Sequence, residues 1–122
     1  VGWLTEGFVA GDYTGEGVGD DEHGWAADGQ RHMRWHRGGT PGAEWPRAWQ
    51  SGDTIGCALD IGAGEMRFSL AGEWVEAAEM RFTAEGRSFY PAVSAQGLFA
   101  LHLARGAWRF APPDGGYEAW AS

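Results

Sequence analysis

The side chains able to do chemistry are few and poorly spaced for it. His32 and His36 lie four apart, the interval that puts two imidazoles on one helix face in zinc enzymes. Here the surrounding pattern is that of a strand, no Glu follows His32, and Cys57 is the single cysteine, so the ligand set zinc demands is incomplete. Asp20, Asp21 and Glu22 offer oxygens to calcium, but not in the order of an EF-hand loop; a solvated acidic loop accounts for them. Glu65, Glu73, Glu76 and Glu79 are carboxylates of the kind that cleave glycosidic bonds in pairs. Nothing in their spacing fixes two of them at a set separation on adjacent strands. No Gly-x-Ser-x-Gly elbow is present, and Ser, His and Asp show no recognisable nucleophile order. Gly15-Glu16-Gly17-Val18-Gly19 imitates a dinucleotide fingerprint without the βαβ pattern around it. The chain is therefore expected to have no catalytic residues, no metal and no cofactor.

The elements that would hold any binding surface are strands. In residues 52–61, Ile55, Cys57, Leu59 and Ile61 fall on one face and Thr54, Gly56, Ala58 and Asp60 on the other. Met66, Phe68 and Leu70 alternate with Arg67 and Ser69 in the return limb. This period of two, broken by Gly62-Ala63-Gly64, predicts an antiparallel hairpin with one buried face. Asp28-Gly29 marks a second hairpin, flanked by Trp25-Ala26-Ala27 and residues 30–35. In its second limb Arg31, Met33 and Trp35 share a face opposite His32, Arg34 and His36. Residues 7–22 and 37–49 read as loops from their Gly, Pro and acidic content. Residues 73–79 fit neither period. Residues 89–95 alternate as a strand in which Pro91 requires an edge or a bulge. Residues 98–103, with Phe99, Leu101 and Leu103 on one face, predict a further strand. Ala71-Gly72 makes a turn, and Ala71 argues against the positive φ of a two-residue type I′ turn. The expected core is Trp3, Trp25, Ile55, Cys57, Leu59, Met66, Phe68, Leu70, Val93, Phe99 and Leu101.

A length of 122 residues fits one domain. Its 21 glycines have no fixed period, which excludes collagen and solenoids and suits an all-β domain with many turns. The net charge of −8 opposes nucleic-acid binding, which needs a positive field. A lone cysteine forms no intramolecular disulfide, favouring a reducing, cytoplasmic setting. No signal peptide and no apolar run near the roughly 20 residues of a membrane span is present, so no membrane partner is expected.

Three blocks together resemble a SPRY domain of the SPRY/B30.2 group. The first is Val1-Gly2-Trp3, then Gly19-Asp20-Asp21 and Trp25-Ala26-Ala27-Asp28-Gly29, closing with Trp35-His36. The second runs from Trp49-Gln50-Ser51-Gly52-Asp53-Thr54-Ile55-Gly56-Cys57-Ala58-Leu59-Asp60 through Phe68-Ser69-Leu70. The third is Phe89-Tyr90-Pro91-Ala92-Val93-Ser94 with the aromatic and proline tail of residues 110–117. The likeness covers nearly the whole chain, residues 1–122, and is greatest to the ryanodine-receptor and ubiquitin-ligase types. It implies an antiparallel two-sheet β-sandwich, a concanavalin-like jelly roll. Family members usually carry strands before the Val-Gly-Trp segment, so an N-terminally truncated domain, or one whose first strands lie elsewhere, is expected.

The resemblance further implies protein–protein recognition, through loops at one end of the sandwich that take a short peptide segment or the surface of a partner domain. The matching positions are Leu4, Thr5, Glu6, Trp35, Ala95, Gln96 and Gly97. Trp35 is the candidate anchor, since an aromatic beside polar loops gives contact area at low entropic cost; periodicity alone leaves a core position equally open. Arg31, Arg34, Arg37 and Arg47 cluster in one stretch and point to an acidic partner, or to a solvated face. A carbohydrate-binding sandwich using exposed Trp, and a structural module inside a large channel or ubiquitin ligase, are the alternatives.

Overall fold

The computed structural model describes residues 1–9 and 17–121 of the chain. Much of the Gly-rich acidic loop, including Gly15 and Glu16, therefore lies outside the described residues. The strands are β1 (Gly2–Thr5), β2 (Gly24–Asp28), β3 (Met33–Trp35), β4 (Gly39–Pro41), β5 (Ile55–Asp60), β6 (Glu65–Leu70), β7 (Glu73–Trp74), β8 (Met80–Arg81) and β9 (Phe89–Ala92). Two short 3-10 helices, Glu76–Ala78 and Arg105–Ala107, complete the regular structure among the described residues. The strands build two sheets, one of order β4-β3-β2-β1-β9 and one of order β5-β6-β7 in which β8 also pairs with β6. Every strand pairing in both is antiparallel. The all-β, two-sheet architecture expected from the sequence is the one observed.

The β5–β6 hairpin follows from its alternation. Cys57 pairs with Phe68 and Leu59 with Met66, and residues directly opposite one another share a face, so one register buries both apolar sets. Met66 and Phe68 are fully enclosed, and Leu70 is nearly so. Against them the first sheet presents Trp3, Trp25, Ala27 and Phe89. Ala43 and Trp45, from the loop after β4, close one side, where Trp45 meets Trp49 edge-on at 4.9 Å. Burying a side chain the size of Phe68 is worth about 1.5–3 kcal/mol.

Several expectations change. The Asp28-Gly29 hairpin has a four-residue loop, because Asp28 pairs with Met33; the Asp28 carboxylate accepts from the Gln30 and Arg31 N–H groups at 2.9 and 3.1 Å and holds that wider turn. The stretch 37–49 contains β4. Ala71 and Gly72 both have positive φ, 50° and 86°, the signature of the type I′ turn, imposed on Ala71 by the Leu70–Glu73 pairing on either side. Ile55, Cys57 and Leu59 are partly buried at the margin of the core, and Val93 is partly buried too. Phe99 and Leu101 are not core residues: they are 58% and 51% exposed. Residues 98–103 form no strand, since no strand edge is paired with them. The strand at residue 89 ends at Ala92, and Pro91 lies on β9, an edge strand, as its missing N–H requires.

Candidate functional site

The site grows from the outer face of the five-stranded sheet. Trp35 pairs with Ala26, Ala26 with Gly2, and Gly2 with Ala92. Trp3, Trp25 and Ala27, one residue out of step, point into the core, so the row from Trp35 to Ala92 faces away from it. This settles the side that periodicity left open: Trp35 is on the outer face and partly buried there.

Its placement depends on glycine. A Cβ on Gly19 would come within 2.3 Å of the Trp35 Cβ, and one on Gly39 within 3.0 Å of the indole ring. Gly19 also has φ +96°, a region L side chains rarely occupy. The chain at residues 17–19 can therefore lie directly on the sheet, and two backbone bonds pin it, Gly38 N–H to Gly19 O at 3.1 Å and Arg37 N–H to Asp21 O at 3.0 Å. At its other end the Val18 N–H donates to Ser94 Oγ at 2.9 Å. Trp35, the 17–19 segment and Ser94 thus form one continuous strip that leads to Ala95, Gln96 and Gly97, all exposed.

The positions near β1 divide. Leu4 shares the outer face and packs against Gly24, where an added Cβ would meet Leu4 Cδ2 at 2.9 Å. Thr5 points the other way: it is 3% exposed, its hydroxyl 3.3 Å from His23 Nδ1, so it braces the strand end rather than offering a contact. Glu6 is exposed and its carboxylate accepts from the Ser88 N–H at 3.0 Å. Glu6 continues β1 beyond Thr5, which pairs with Phe89, whereas residues 95–97 follow Ala92, which pairs with Gly2. These two groups leave the sheet at opposite ends. The structure joins Trp35 to residues 95–97 through Ser94 and sets Leu4 beside Gly24, one step nearer the Glu6 end of the sheet; it does not bring Glu6 to them.

Sequence reasoning missed Val18 and Ser94 as parts of the site: Val18 lay in a stretch read as loop, and Ser94 in the predicted strand 89–95. It recorded Arg31 and Met33 as sharing a face with Trp35, and gave Arg31 a role only within the arginine cluster that points to an acidic partner. The Arg31 guanidinium lies 5.8 Å from the Trp35 ring centre, within reach of a cation–π attraction, and 3.4 Å from Asp28. The other arginines of the cluster have different duties. Arg34 donates to Glu79 O at 3.3 Å, crossing between the sheets. Arg37 is 3.7 Å from Glu22. Arg47 grips Asp53 through two bonds of 2.7 Å.

That last pair sets the clearest electrostatic shift. The Arg47 guanidinium, helped by the Gln50 N–H, holds the Asp53 carboxyl down to about 2. Burial pushes the Cys57 thiol up to about 11, away from the thiolate a nucleophile needs. His36 stacks flat on Trp25 at 4.3 Å and its Nδ1 lies 2.9 Å from Gly24 O; His32 sits in the turn before β3 with φ 54°. No three His, Cys, Asp or Glu side chains converge as metal ligands among the described residues. No helix there is long and apolar enough to cross a membrane. What the surface offers is a strip with an indole, a cation and exposed loop backbone.

Comparison with known proteins gives this strip a context. The family model described as "SPRY domain" matches residues 1–104. The chain is 32% identical over 121 residues, 97% of its length, to E3 ubiquitin-protein ligase RKP of Arabidopsis thaliana, of which the match covers 9%. The chain thus spans a small part of that relative's length. SPRY domains are in general protein-interaction modules. With the two antiparallel sheets and a family match over most of its residues, the chain belongs to the SPRY domain family.

Proposed function

We propose that this domain binds a short segment of a partner protein along the strip from Trp35 to residues 95–97, with Leu4 as an apolar floor and no chemical step. The observation that carries the reading is Trp35 itself. It lies outside the core, on the outer face, with its Cβ and backbone against Gly19, its ring against Gly39, and the Arg31 guanidinium over the ring. An aromatic packed against backbone and left partly exposed is the kind of residue that anchors interfaces, because little side-chain entropy is lost on binding.

A carboxylate on the partner would find Arg31 and Arg37, whose side chains are 68% and 70% exposed. Arg34 and Arg47 are committed to Glu79 and Asp53. An acidic residue in the ligand thus competes with Asp28 or Glu22 and adds selectivity more than affinity. Since the relative is named as a ubiquitin ligase, the domain in such a chain would hold the protein to be modified, in the cytoplasm, where a lone Cys57 stays reduced.

The test is selection of a random peptide library against the purified domain, followed by titration of the recovered peptides. Trp35→Ala should weaken binding by about 30-fold or more, the effect of losing a hot spot of about 2 kcal/mol, with an unchanged far-ultraviolet spectrum. Recovered peptides that bind the Trp35→Ala variant equally well would refute the site.

A further inference from the structure

The outer face of the second sheet carries a segment of the chain's own tail. Gly56 pairs with Ser69 and Ser69 with Trp74. Cys57 and Phe68, one residue out of step, belong to the core, so this row faces away from it. The Trp74 indole lies across the row, since a Cβ on Gly56 would come within 3.1 Å of its Cη2. Its N–H donates to Ala111 O at 3.3 Å. At the β6–β7 turn, a Cβ on Gly72 would stand 2.7 Å from the Phe110 ring; the missing side chain there is what lets the ring sit down. Arg67, opposite Ala58 on the same face, meets the Tyr117 hydroxyl.

The seated segment is Phe110-Ala111-Pro112-Pro113. Each proline fixes its own φ and holds the residue before it extended, which favours the polyproline II conformation, whose carbonyls take no internal hydrogen bond. No backbone N–H among the described residues bonds to Ala111 O; the indole uses that acceptor instead. An indole N–H given to a carbonyl beside proline is the chemistry by which aromatic surfaces take Pro-rich segments. The hold is slight. Among the described residues this is the one hydrogen bond between residues 109–116 and either sheet. Phe110 is 45% exposed. A tethered segment acts at high effective concentration, so a slight hold suffices within one chain. The family match ends at residue 104, and the segment lies beyond it.

We propose that the outer face of the second sheet is a second docking site, for an extended aromatic-x-Pro-Pro segment of a partner protein, which residues 110–113 fill while no partner is bound. Trp74 supplies the donor and Gly72 the seat for the aromatic ring. The two prolines order the ligand before it arrives and so lower the cost of binding. A partner must displace the tail, so its observed affinity falls by the fraction of time the seat is filled. Trp35 lies on the outer face of the other sheet, and this site does not depend on it.

The probe is a capped peptide with the sequence of residues 109–114, titrated into the whole labelled domain. The Trp74 indole N–H should shift while that of Trp35 stays still, and the same peptide with both prolines replaced by alanine should bind about 10-fold or more weakly. Trp74→Phe, which keeps a ring and loses the donor, should weaken binding by about 10-fold. A domain carrying Pro112→Ala and Pro113→Ala should bind the added peptide about 10-fold or more tightly than the unmodified domain, because its own tail competes less. Those two positions lie in the tail, so this variant decides the matter if Trp74→Phe fails to fold. An unmoved Trp74 indole, or equal affinity in the double-proline variant, would overturn the proposal. So would a concentration-dependent dimer that forms without peptide and is lost in that variant, which would assign the seat to a second copy of the chain.

Discussion

Small changes at single residues decide what this surface presents. Trp35 faces outward because Ala26 is its partner across the ladder, and it stays in place because two positions near it carry no side chain. Ala71 shows the opposite case, a residue with a side chain where none is wanted. Its φ of 50° costs about 1–2 kcal/mol in an L-residue. Ala71→Gly should therefore stabilise the domain by about 1 kcal/mol, read as a higher denaturant midpoint with unchanged slope; a lower midpoint would mean the turn is not strained. Asp53 gives a pH prediction. Its carboxyl lies near 2 in the fold against an ordinary 3.8, so its contribution is present above the ordinary value and is lost as pH falls through the folded one. Asp53→Asn should lower the melting temperature at neutral pH, and the gap to the unmodified chain should vanish by about pH 2. The pair is solvent-exposed, so the effect is small. A gap that persists in acid would assign Asp53 a role other than pairing with Arg47.

At the scale of elements, what could be read from the sequence depended on whether the deciding contact was local. The β5–β6 hairpin was legible because burial of one face enforces a period of two on both limbs. Phe68 sits at its centre with no exposed surface, so Phe68→Ala should cost about 3–5 kcal/mol, measured by urea unfolding; a cost under about 1 kcal/mol would mean the sheets are not packed through it. β4 was not legible: Gly39, Thr40 and Pro41 have no alternation, and only pairing with β3 extends them. Trp45 and Trp49 reach the core margin from a Gly- and Pro-rich loop, where periodicity says nothing. Residues 98–103 carry a strand's pattern without a strand, because pattern states what a segment can bury and not which edge receives it. For the site, Trp35 and residues 95–97 could be singled out through family resemblance, while Val18 and Ser94, which tie them together, could not. Their importance arises from a bond across 76 residues of chain.

For the molecule as a whole, two sheets of unequal width present Trp35 and the proposed binding strip on one outer face. The core is small and aromatic, drawn from both sheets and the loop after β4, and its job is to hold the first sheet rigid. On the proposed reading, a sheet held rigid by this core presents Trp35 and the strip beside it already ordered, which lowers the entropic cost of binding there. Against a net charge of −8, Arg31 and Arg37 are local exceptions on or near the strip.

The most direct test of the account is a two-dimensional nitrogen–proton spectrum of the labelled domain, recorded while titrating the peptides selected from a random library. The indole N–H of Trp35 and the amides of Val18, Ser94 and Gln96 should shift together with one dissociation constant, while those of Ser69 and Arg67 on the other sheet stay still. Selected peptides that shift the second sheet and leave Trp35 unmoved would contradict it.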